Sequence, residues 1–398
     1  MNEAVSKNQE IEVLRGIAVL FVLFQHYLDR LPAPDGYRAI FRHAAFYGGV
    51  DLFFAISGFV ITRSLLRHAA VTLDGGSAGR ISPLHWRAFM VRRLFRLVPA
   101  AWFWLVMSVV LAPLLTSHSP SDVALVINGA LAGAFGVANF FWRYCLFHHQ
   151  IGTVCSNPDI NGVLWSLATE IQFYLIFATL LLVVPLRRLA LILLGFALAW
   201  SVYFTATMFS LSWVLRPQAM ILGIGAACVM EGRIVPPTGF SRVFDSAAVR
   251  FVVLIAGLLG IVLPPAQVAT APLAVMAVSG GVLVLVASRR ATWSRTLWGR
   301  GLAFVGGCSY SLYLCHAFVF LGLRELLTRF GPTGLADSHE LLVFCLVFPV
   351  AVAGAIGLAH ASHVVLERPF KRKGQQIALA LLARHQDPQR VAQMTLSG

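Results

Sequence analysis

Charged residues are scarce in this chain, and acidic residues are the scarcer of the two kinds. Only 12% of its 398 residues are Asp, Glu, Lys or Arg, whereas soluble domains carry about 25%. Hydrophobic residues make up 58% of the sequence, and its mean hydropathy is +0.77. This balance excludes an ordinary water-soluble fold and predicts an integral membrane protein.

The shortage of acidic residues leaves a large positive charge, but it does not indicate a nucleic-acid partner. The chain has 31 Lys and Arg against 17 Asp and Glu, a formal net charge of +14. The basic residues lie between apolar stretches, as in the cytoplasmic loops of membrane proteins, and no nucleic-acid motif accompanies them. We therefore expect the chain to contact membrane lipids and no nucleic acid.

The N-terminal sequence also does not show the pattern of a cleavable signal peptide. Residues 1–12 are polar, and no small-residue cleavage site follows the first apolar run. We expect 1–12 to be a cytoplasmic segment, 13–370 to be one membrane domain and 371–398 to be a cytoplasmic tail. No tandem soluble domain is expected, because the last apolar run ends near residue 366.

Cysteine is infrequent, with six residues in the chain. Four of them lie in apolar stretches, where a thiol behaves as a small hydrophobic group: Cys228, Cys308, Cys315 and Cys345. Cys145 and Cys155 instead flank a polar loop that also holds His148 and His149. The sequence leaves two alternatives for this pair, a disulfide in an oxidising compartment or two free thiols.

Long apolar runs are abundant. A helix of about 20 apolar residues spans a bilayer, and candidates occur at 13–29, 46–66, 95–115, 123–142, 163–184, 189–207, 212–230, 249–265, 268–287, 302–323 and 340–366. All basic clusters face the cytoplasm only if one early candidate does not cross. The weakest is 123–142, which Asn128, Asn139 and glycines interrupt. We predict an all-α polytopic fold of about ten transmembrane helices plus this re-entrant or buried segment, with both termini cytoplasmic.

Five ionisable residues stand out inside these runs, where a charge costs several kcal/mol unless it is paired or faces a cavity. They are Arg15, His26, Asp51, Glu170 and His316. The last four are expected at a similar depth in the outer half of the membrane. We predict that all five residues belong to one catalytic site. Each residue alone is also compatible with a hydrogen-bonded group that fixes helix contacts.

Arg15 and His26 share one face of the first span. Eleven residues separate them, which is three helical turns and about 16 Å along the helix. This face therefore connects the inner boundary of the membrane with its outer half.

A basic cluster marks the inner end of the third candidate span. It consists of Arg92, Arg93 and Arg96, and the last two share a helix face. Guanidinium groups bind phosphates bidentately. Arginines at this depth also commonly reach lipid phosphates, so the cluster by itself is compatible with a structural role.

A third polar group ends the last candidate span. His360, His363 and Glu367 share a helix face there. Such residues are able to ligate a metal pair, but no third ligand is evident. We expect these side chains to interact with water or with neighbouring arginines, and we expect no metal.

Six motifs occur in order along the chain, and each contains or adjoins one of these residues. They are Arg-x10-His at Arg15 and His26, GGVDLFFAISGF from Gly48, RRLFRLVP from Arg92, LWSLATEIQFY around Glu170, SYSLYLCH ending at His316 and ERP at Glu367. Together they closely resemble the membrane-bound acyltransferase 3 family, over nearly the whole chain. The resemblance implies a similar number of spans and the acylation of glycans or small molecules.

The resemblance also implies a reaction and a location. The expected enzyme lies in the bacterial inner membrane and transfers an acyl group, most simply acetyl, from cytoplasmic acyl-coenzyme A to a hydroxyl of a glycan or lipid-linked sugar. A small glycosylated metabolite is the alternative acceptor. Some family members carry an extracytoplasmic hydrolase-like domain, which is not expected in this chain.

Residue roles follow from the same resemblance and from the chemistry of each side chain. His26 is the expected general base, or the site of a covalent acyl intermediate, with Asp51 or Glu170 orienting its ring. The expected donor-binding residues are Arg92, Arg93 and Arg96, with Arg15. Two other classes of protein remain compatible with the sequence. They are a transporter or flippase of a sugar or acyl intermediate, and a membrane scaffold without activity.

Overall fold

The computed structural model describes residues 8–69, 79–115, 120–147, 160–204, 210–235, 243–263, 271–289, 291–331 and 339–386. Every regular element in these ranges is helical. The helices are α1 (Gln9–Leu28), α2 (Asp35–Ile40), α3 (Gly49–Ala69), α4 (Pro83–Leu115), α5 (Pro120–Ala134), α6 (Ala138–Phe147), α7 (Leu164–Val183), α8 (Leu186–Tyr203), α9 (Leu211–Leu215), α10 (Gln218–Met230), α11 (Ala247–Val262), α12 (Ala271–Ala287), α13 (Leu297–Gly307), α14 (Ser309–Phe330), α15 (Glu340–Ser362) and α16 (Arg368–Gln386).

Within the described ranges, eight helical segments are long and apolar enough to cross a bilayer. They are Gln9–Leu28, Phe46–Leu66, Pro83–Leu115, Leu164–Val183, Leu186–Tyr203, Leu211–Met230, Ser309–Phe330 and Glu340–Ala383. Three shorter apolar helices accompany them, at Val123–Ala134, Ala247–Val262 and Pro272–Ala287. The all-helical fold is confirmed, and the eight candidate spans agree with a multi-pass membrane protein. The count of ten spans is not confirmed, because two of the expected spans are only 10–17 residues long as described.

The segment 123–142 does not form one continuous helix. Helix α5 ends at Ala134, and α6 begins at Ala138 after a turn in which Gly136 has a φ of +69°. This left-handed conformation favours glycine, so the glycine that weakened the candidate in the sequence also marks the break. Neither half is long enough to span a bilayer alone.

Three other candidate spans have different limits from those expected. Segment 212–230 is interrupted between α9 and α10 at Arg216 and Pro217, and 302–323 is replaced by a span that starts at Ser309 after a break at Cys308. The last span does not stop near 366. It continues through a π-helical turn, His363–Glu367, into α16, so much of the expected tail is helical.

One end of the bundle collects the basic loops, and we call it the basic end. There Arg63, near the end of α3, forms an ion pair of 2.6 Å with Glu231 after α10. The Asn8 side chain donates to the carbonyl of Ala287, which ends α12. The first contact joins the ends of α3 and α10, and the second joins the start of α1 to the end of α12.

Close helix packing at glycines holds the spans around α3 together. Gly58 of α3 faces the carbonyl of Met220, and Gly223 of α10 faces the carbonyl of Ala55. Small residues at such positions let two helix backbones approach closely, and this packing promotes helix association inside a membrane. The α3–α10 pair therefore forms a rigid wall on which Asp51 and Ser57 are carried.

We predict that Gly58→Ala and Gly223→Ala each destabilise the bundle, because the added methyl group meets a backbone carbonyl of the facing helix. Overpacking of this kind costs on the order of 1–3 kcal/mol. The measurement is the fraction of detergent-purified protein that stays monodisperse after heating. Gly195→Ala is the matched control, since nothing lies within 4 Å of its added methyl group. Equal heat resistance of all three variants would contradict this packing.

Candidate active site

A cavity lined by three arginines lies inside the helical bundle. Helices α1, α3, α4, α7 and α14 all contribute to its wall. The lining residues are Arg15, Val50, Phe53, Phe54, Ser57, Val60, Arg93, Arg96, Leu97, Ser166, Leu167, Glu170, Tyr174, Ser309, Tyr310 and Tyr313. One carboxylate faces three guanidinium groups, so the cavity favours an anionic ligand. We call it the arginine cavity.

Two of its arginines come from the third span. Arg93 is buried, and its guanidinium lies 5.3 Å from the ring centres of both Phe89 and Tyr174. Arg96 lies one turn further along α4, and its Nε is buried without a hydrogen-bond partner among the described residues. Neither arginine forms an ion pair within the described part of the chain. Their donors are therefore available to a ligand in the cavity.

Glu170 belongs to this cavity rather than to the histidines. Its carboxylate accepts hydrogen bonds from the hydroxyls of Ser57 and Tyr174. It also interacts electrostatically with Arg96, Arg93 and Arg15. The structure thus places Glu170 beside Ser57, near the middle of α3, and its expected role next to His26 stays a prediction.

Arg15 is the third arginine of the cavity, and it has a partner of its own. Its Nη1 donates to the carboxylate of Glu12, one turn earlier on α1, at 3.0 Å. This ion pair leaves part of the guanidinium facing the cavity, where Arg15 is a lining residue. Arg15 thus lies where the sequence predicted it, beside Arg93 and Arg96.

Asp51 is committed to a buried ion pair that the sequence analysis missed. Its Oδ2 accepts from Nη1 of Arg216 at 2.7 Å, and both side chains are only 1% exposed. The Arg216 guanidinium also lies 4.0 Å from the ring centre of Trp213 and 4.8 Å from that of Trp165. Asp51 therefore does not orient His26, because its charge is already matched next to aromatic rings.

A signal for Arg216 was present in the sequence. The residue stands directly before Pro217 inside the apolar candidate 212–230, and an arginine at that position requires a partner. The structure places it at the junction of α9 and α10, where the helix is broken. Its Nε donates to the carbonyl of Trp213 at 2.8 Å, so the arginine also closes the end of α9.

His26 and His316 form the second polar centre. Nδ1 of His26 lies 2.8 Å from Nε2 of His316, and the two rings are nearly parallel, at 4°. Nδ1 of His316 lies 3.0 Å from the carbonyl of Leu312. His316 is fully buried, whereas the residue His26 is only partly buried.

These contacts assign the protons of the two neutral rings. A carbonyl only accepts, so Nδ1 of His316 carries a proton and Nε2 of His316 must accept. Nδ1 of His26 is therefore the donor between the rings. Nε2 of His26 then carries a free lone pair, and no described residue forms a hydrogen bond with it. We call this arrangement the histidine pair.

Tyr313 connects the arginine cavity with the histidine pair. Its side chain lines the cavity, and its ring centre lies 6.2 Å from that of His316, one turn further along α14. The hydroxyl donates to the carbonyl of Val163 at 2.6 Å and lies 2.7 Å from the Ser166 hydroxyl. His26 itself is not among the residues that line the cavity, so Tyr313 stands where the two centres adjoin.

The remaining predicted residues lie outside both centres. Arg92 precedes Arg93 on α4 but does not line the cavity, because adjacent residues of a helix point in different directions. His363 and Glu367 bind each other at 2.7 Å, and Ser311 also donates to Glu367. No group of three or more metal-binding side chains occurs in the described ranges.

The cysteines of the polar loop are only partly described. Cys145 is disulfide-bonded, while its expected partner Cys155 lies outside the described residues, as do His148 and His149. The other four cysteines are free, and three of them are buried. Cys345 is exposed, although it lies in an apolar run, because one face of α15 points away from the bundle.

The chain belongs to the acyltransferase 3 family. The family model, described as an acyltransferase domain, matches residues 8–360. The resemblance found in the sequence is thereby confirmed, and the family is one of acyltransferases. No solved structure matches it.

Several curated proteins are similar to the chain. A putative O-acetyltransferase of Staphylococcus aureus (strain COL) is 28% identical over 384 residues, covering 92% of the chain and 57% of the relative. The peptidoglycan O-acetyltransferase OatA of Listeria monocytogenes is 28% identical over 252 residues, 62% of the chain and 32% of the relative. Regulator of hypoxia-inducible factor 1 of Caenorhabditis elegans is 28% identical over 210 residues, which cover 48% of the chain and 38% of the relative. The matches thus span between 32% and 57% of these relatives' lengths.

We predict that Asp51→Asn strongly destabilises the protein, because it leaves the Arg216 guanidinium buried without a counter-charge. Removing one partner of a buried ion pair costs about 3–5 kcal/mol. Arg63→Gln is the control, since the partly exposed pair with Glu231 contributes less than about 1 kcal/mol. The measurement is thermal stability in detergent. An Asp51→Asn protein that is fully stable but inactive would return Asp51 to the catalytic residues.

Proposed function

We propose that the chain is a bacterial inner-membrane O-acyltransferase that moves an acyl group, acetyl in the simplest case, from cytoplasmic acyl-coenzyme A to a hydroxyl of a glycan. One observation carries this proposal. The arginine cavity and the histidine pair lie along the same helix, with Arg15 and His26 separated by eleven residues, about 16 Å. Anion binding and base chemistry are thereby placed a fixed distance apart.

The arginine cavity suits the phosphates of the donor. Arg93 and Arg96 have donors that no described carboxylate occupies, and Arg15 faces the same space. Charge-assisted hydrogen bonds from guanidinium to phosphate are among the strongest polar contacts available in a protein. With the phosphates held there, the extended pantetheine arm reaches along α1 toward His26, since its length is comparable to the separation of the two residues.

The histidine pair suits removal of a proton from the acceptor. Nε2 of His26 takes the hydroxyl proton as the acceptor oxygen attacks the thioester carbonyl. The C–S bond then breaks, and the departing thiolate of coenzyme A takes that proton from His26. His316 fixes the tautomer of His26 throughout, which is the role that the sequence analysis gave to Asp51 or Glu170. His316 is thus a positioning residue.

The acceptor is proposed from the names of the relatives and from the position of His26. Two of them are named as O-acetyltransferases, one of them of peptidoglycan, which supports a glycan or lipid-linked sugar as acceptor. His26 lies near the end of α1 away from the basic end. If the basic end is cytoplasmic, as the positive-inside rule indicates, the reacting hydroxyl approaches from the external side.

The experiment that tests this function measures chemistry. Detergent-purified protein receives acetyl-coenzyme A with a radioactive acetyl group and a mixture of cell-wall and lipid-linked glycans. An acyltransferase releases free coenzyme A thiol in step with labelled glycan. A transporter moves material without cleaving the thioester, so absence of thiol release would contradict the proposal. Comparing glycan esters of cells with and without the gene then identifies the acceptor.

We predict that His26→Gln lowers acyl transfer far more than tenfold at normal membrane abundance, because the base is lost. His316→Phe should lower kcat by roughly 10–100-fold, as loss of a group that orients a functional histidine does, with little change in the KM for the donor. The measurement is steady-state thiol release.

The matched control for the histidine pair is His316→Gln. Its side-chain oxygen is able to accept the proton of His26 Nδ1, so this variant should retain clearly more activity than His316→Phe. Equal losses in the two variants would contradict the positioning role. Wild-type activity in His26→Gln would contradict the base assignment.

We predict that Arg93→Ala and Arg96→Ala each weaken acetyl-coenzyme A binding by about tenfold or more, because a charge-assisted contact to phosphate is lost. Arg187→Ala is the control. It removes the same charge at an exposed position at the start of α8, away from the cavity. Calorimetric titration of purified protein measures the affinities. Unchanged affinity in both cavity variants would remove these arginines from the donor site.

A further inference from the structure

A second space opens at the basic end of the bundle. It is a cleft between the first turn of α1, helix α13 and the end of the last span. Its lining residues are Gln9, Glu12, Ser294, Arg300, Ala303, Phe304, Gly307, Cys308, His360, His363 and Arg368. We call it the basic cleft. The reaction proposed above does not yet use it.

The uncommitted charges of the basic cleft are positive. Arg300 and Arg368 are both exposed, and neither forms an ion pair or side-chain hydrogen bond within the described part of the chain. The carboxylate of Glu12 is paired with Arg15, and His363 is paired with Glu367. The cleft therefore presents two free guanidinium groups to a ligand, which favours phosphate.

A pair of flat rings lies beside these arginines. The ring centres of Phe304 and His360 are 5.2 Å apart, and the planes are inclined by 33°. Phe304 is 53% exposed, so one face of its ring is open to the cleft. Aromatic faces of this kind stack nucleobases, whereas a lipid headgroup offers no flat surface to match them.

The basic cleft and the arginine cavity adjoin. Glu12 lines the cleft and its ion-pair partner Arg15 lines the cavity, one turn apart on α1, about 4.5 Å along the helix. Cys308 lines the cleft, and the next residue, Ser309, lines the cavity. One elongated ligand is therefore able to contact both spaces.

We propose that the basic cleft binds the adenine nucleotide end of the donor, with Arg300 and Arg368 on the phosphate of the ribose and the Phe304 and His360 rings against the base. The arginine cavity then holds the diphosphate, and the arm continues toward His26. This inference rests on the proposed use of acyl-coenzyme A. It adds a donor site in which only Arg368 belongs to one of the six sequence motifs.

The direct test uses adenosine 3′,5′-bisphosphate, which has the base and the ribose phosphate but no pantetheine arm. Purified full-length protein in detergent should bind it in a calorimetric titration. Arg300→Gln and Arg368→Gln should each weaken that binding about tenfold, and Phe304→Ala should also weaken it. Arg295→Gln is the matched control, because this exposed arginine is near the cleft but does not line it. Equal affinity in all these variants would overturn the proposal.

A second measurement separates this inference from the proposed function. The ratio of kcat/KM for acetyl-coenzyme A to that for S-acetyl-N-acetylcysteamine, which lacks the nucleotide, should fall about tenfold in Arg300→Gln. An unchanged ratio would contradict nucleotide binding in the basic cleft without contradicting the proposed acyl transfer. If the wild type cleaves neither thioester, the proposed function fails. Titration with the bisphosphate then still tests whether the basic cleft binds a nucleotide.

Discussion

The structure depends on one constraint: an ionisable side chain inside the membrane must be matched by a partner or face a space that holds one. Asp51 and Arg216 satisfy it by pairing with each other, with both side chains buried and joined at 2.7 Å among aromatic rings. Arg93 and Arg96 satisfy it only in part, because no described carboxylate pairs with them. This difference distinguishes a structural ion pair from a binding site, although both pairs of residues lie in apolar parts of the chain.

Helix α1 relates the functional parts to one another. Glu12 faces the basic cleft, Arg15 the arginine cavity, and His26 the histidine pair, in the order in which an extended donor would meet them. Because the helix has a fixed rise, their separations are set by residue number alone. Close packing of Gly16 of α1 against Leu302 of α13 brings the cleft wall to the same helix. One short motif, Arg-x10-His, therefore contains a residue of the arginine cavity and a residue of the histidine pair.

Much of this arrangement was predictable from the sequence, because helical periodicity and the cost of buried charge act locally. The membrane class, the weak segment 123–142 and the shared face of Arg15 and His26 all follow from the chain alone. The hydrogen-bond and ion-pair partners of these residues could not be predicted from the sequence. Equal depth suggested that Asp51 and Glu170 meet His26, but depth does not determine the direction in which a side chain points. Arg216 and the bond between His26 and His316 depend on how distant helices are packed, and the spacing of residues does not reveal this.

The central claim is that one donor molecule reaches from the arginine cavity to His26. The most direct measurement is a structure of the protein with a bound acetyl-coenzyme A analogue whose thioester sulfur is replaced by methylene. The account predicts phosphates on Arg93 and Arg96 and the acyl carbonyl near Nε2 of His26, with room for a hydroxyl at about 3–3.5 Å from the carbonyl carbon. An acyl group that ends beside Glu170, with Tyr313 still separating it from His26, would contradict the account.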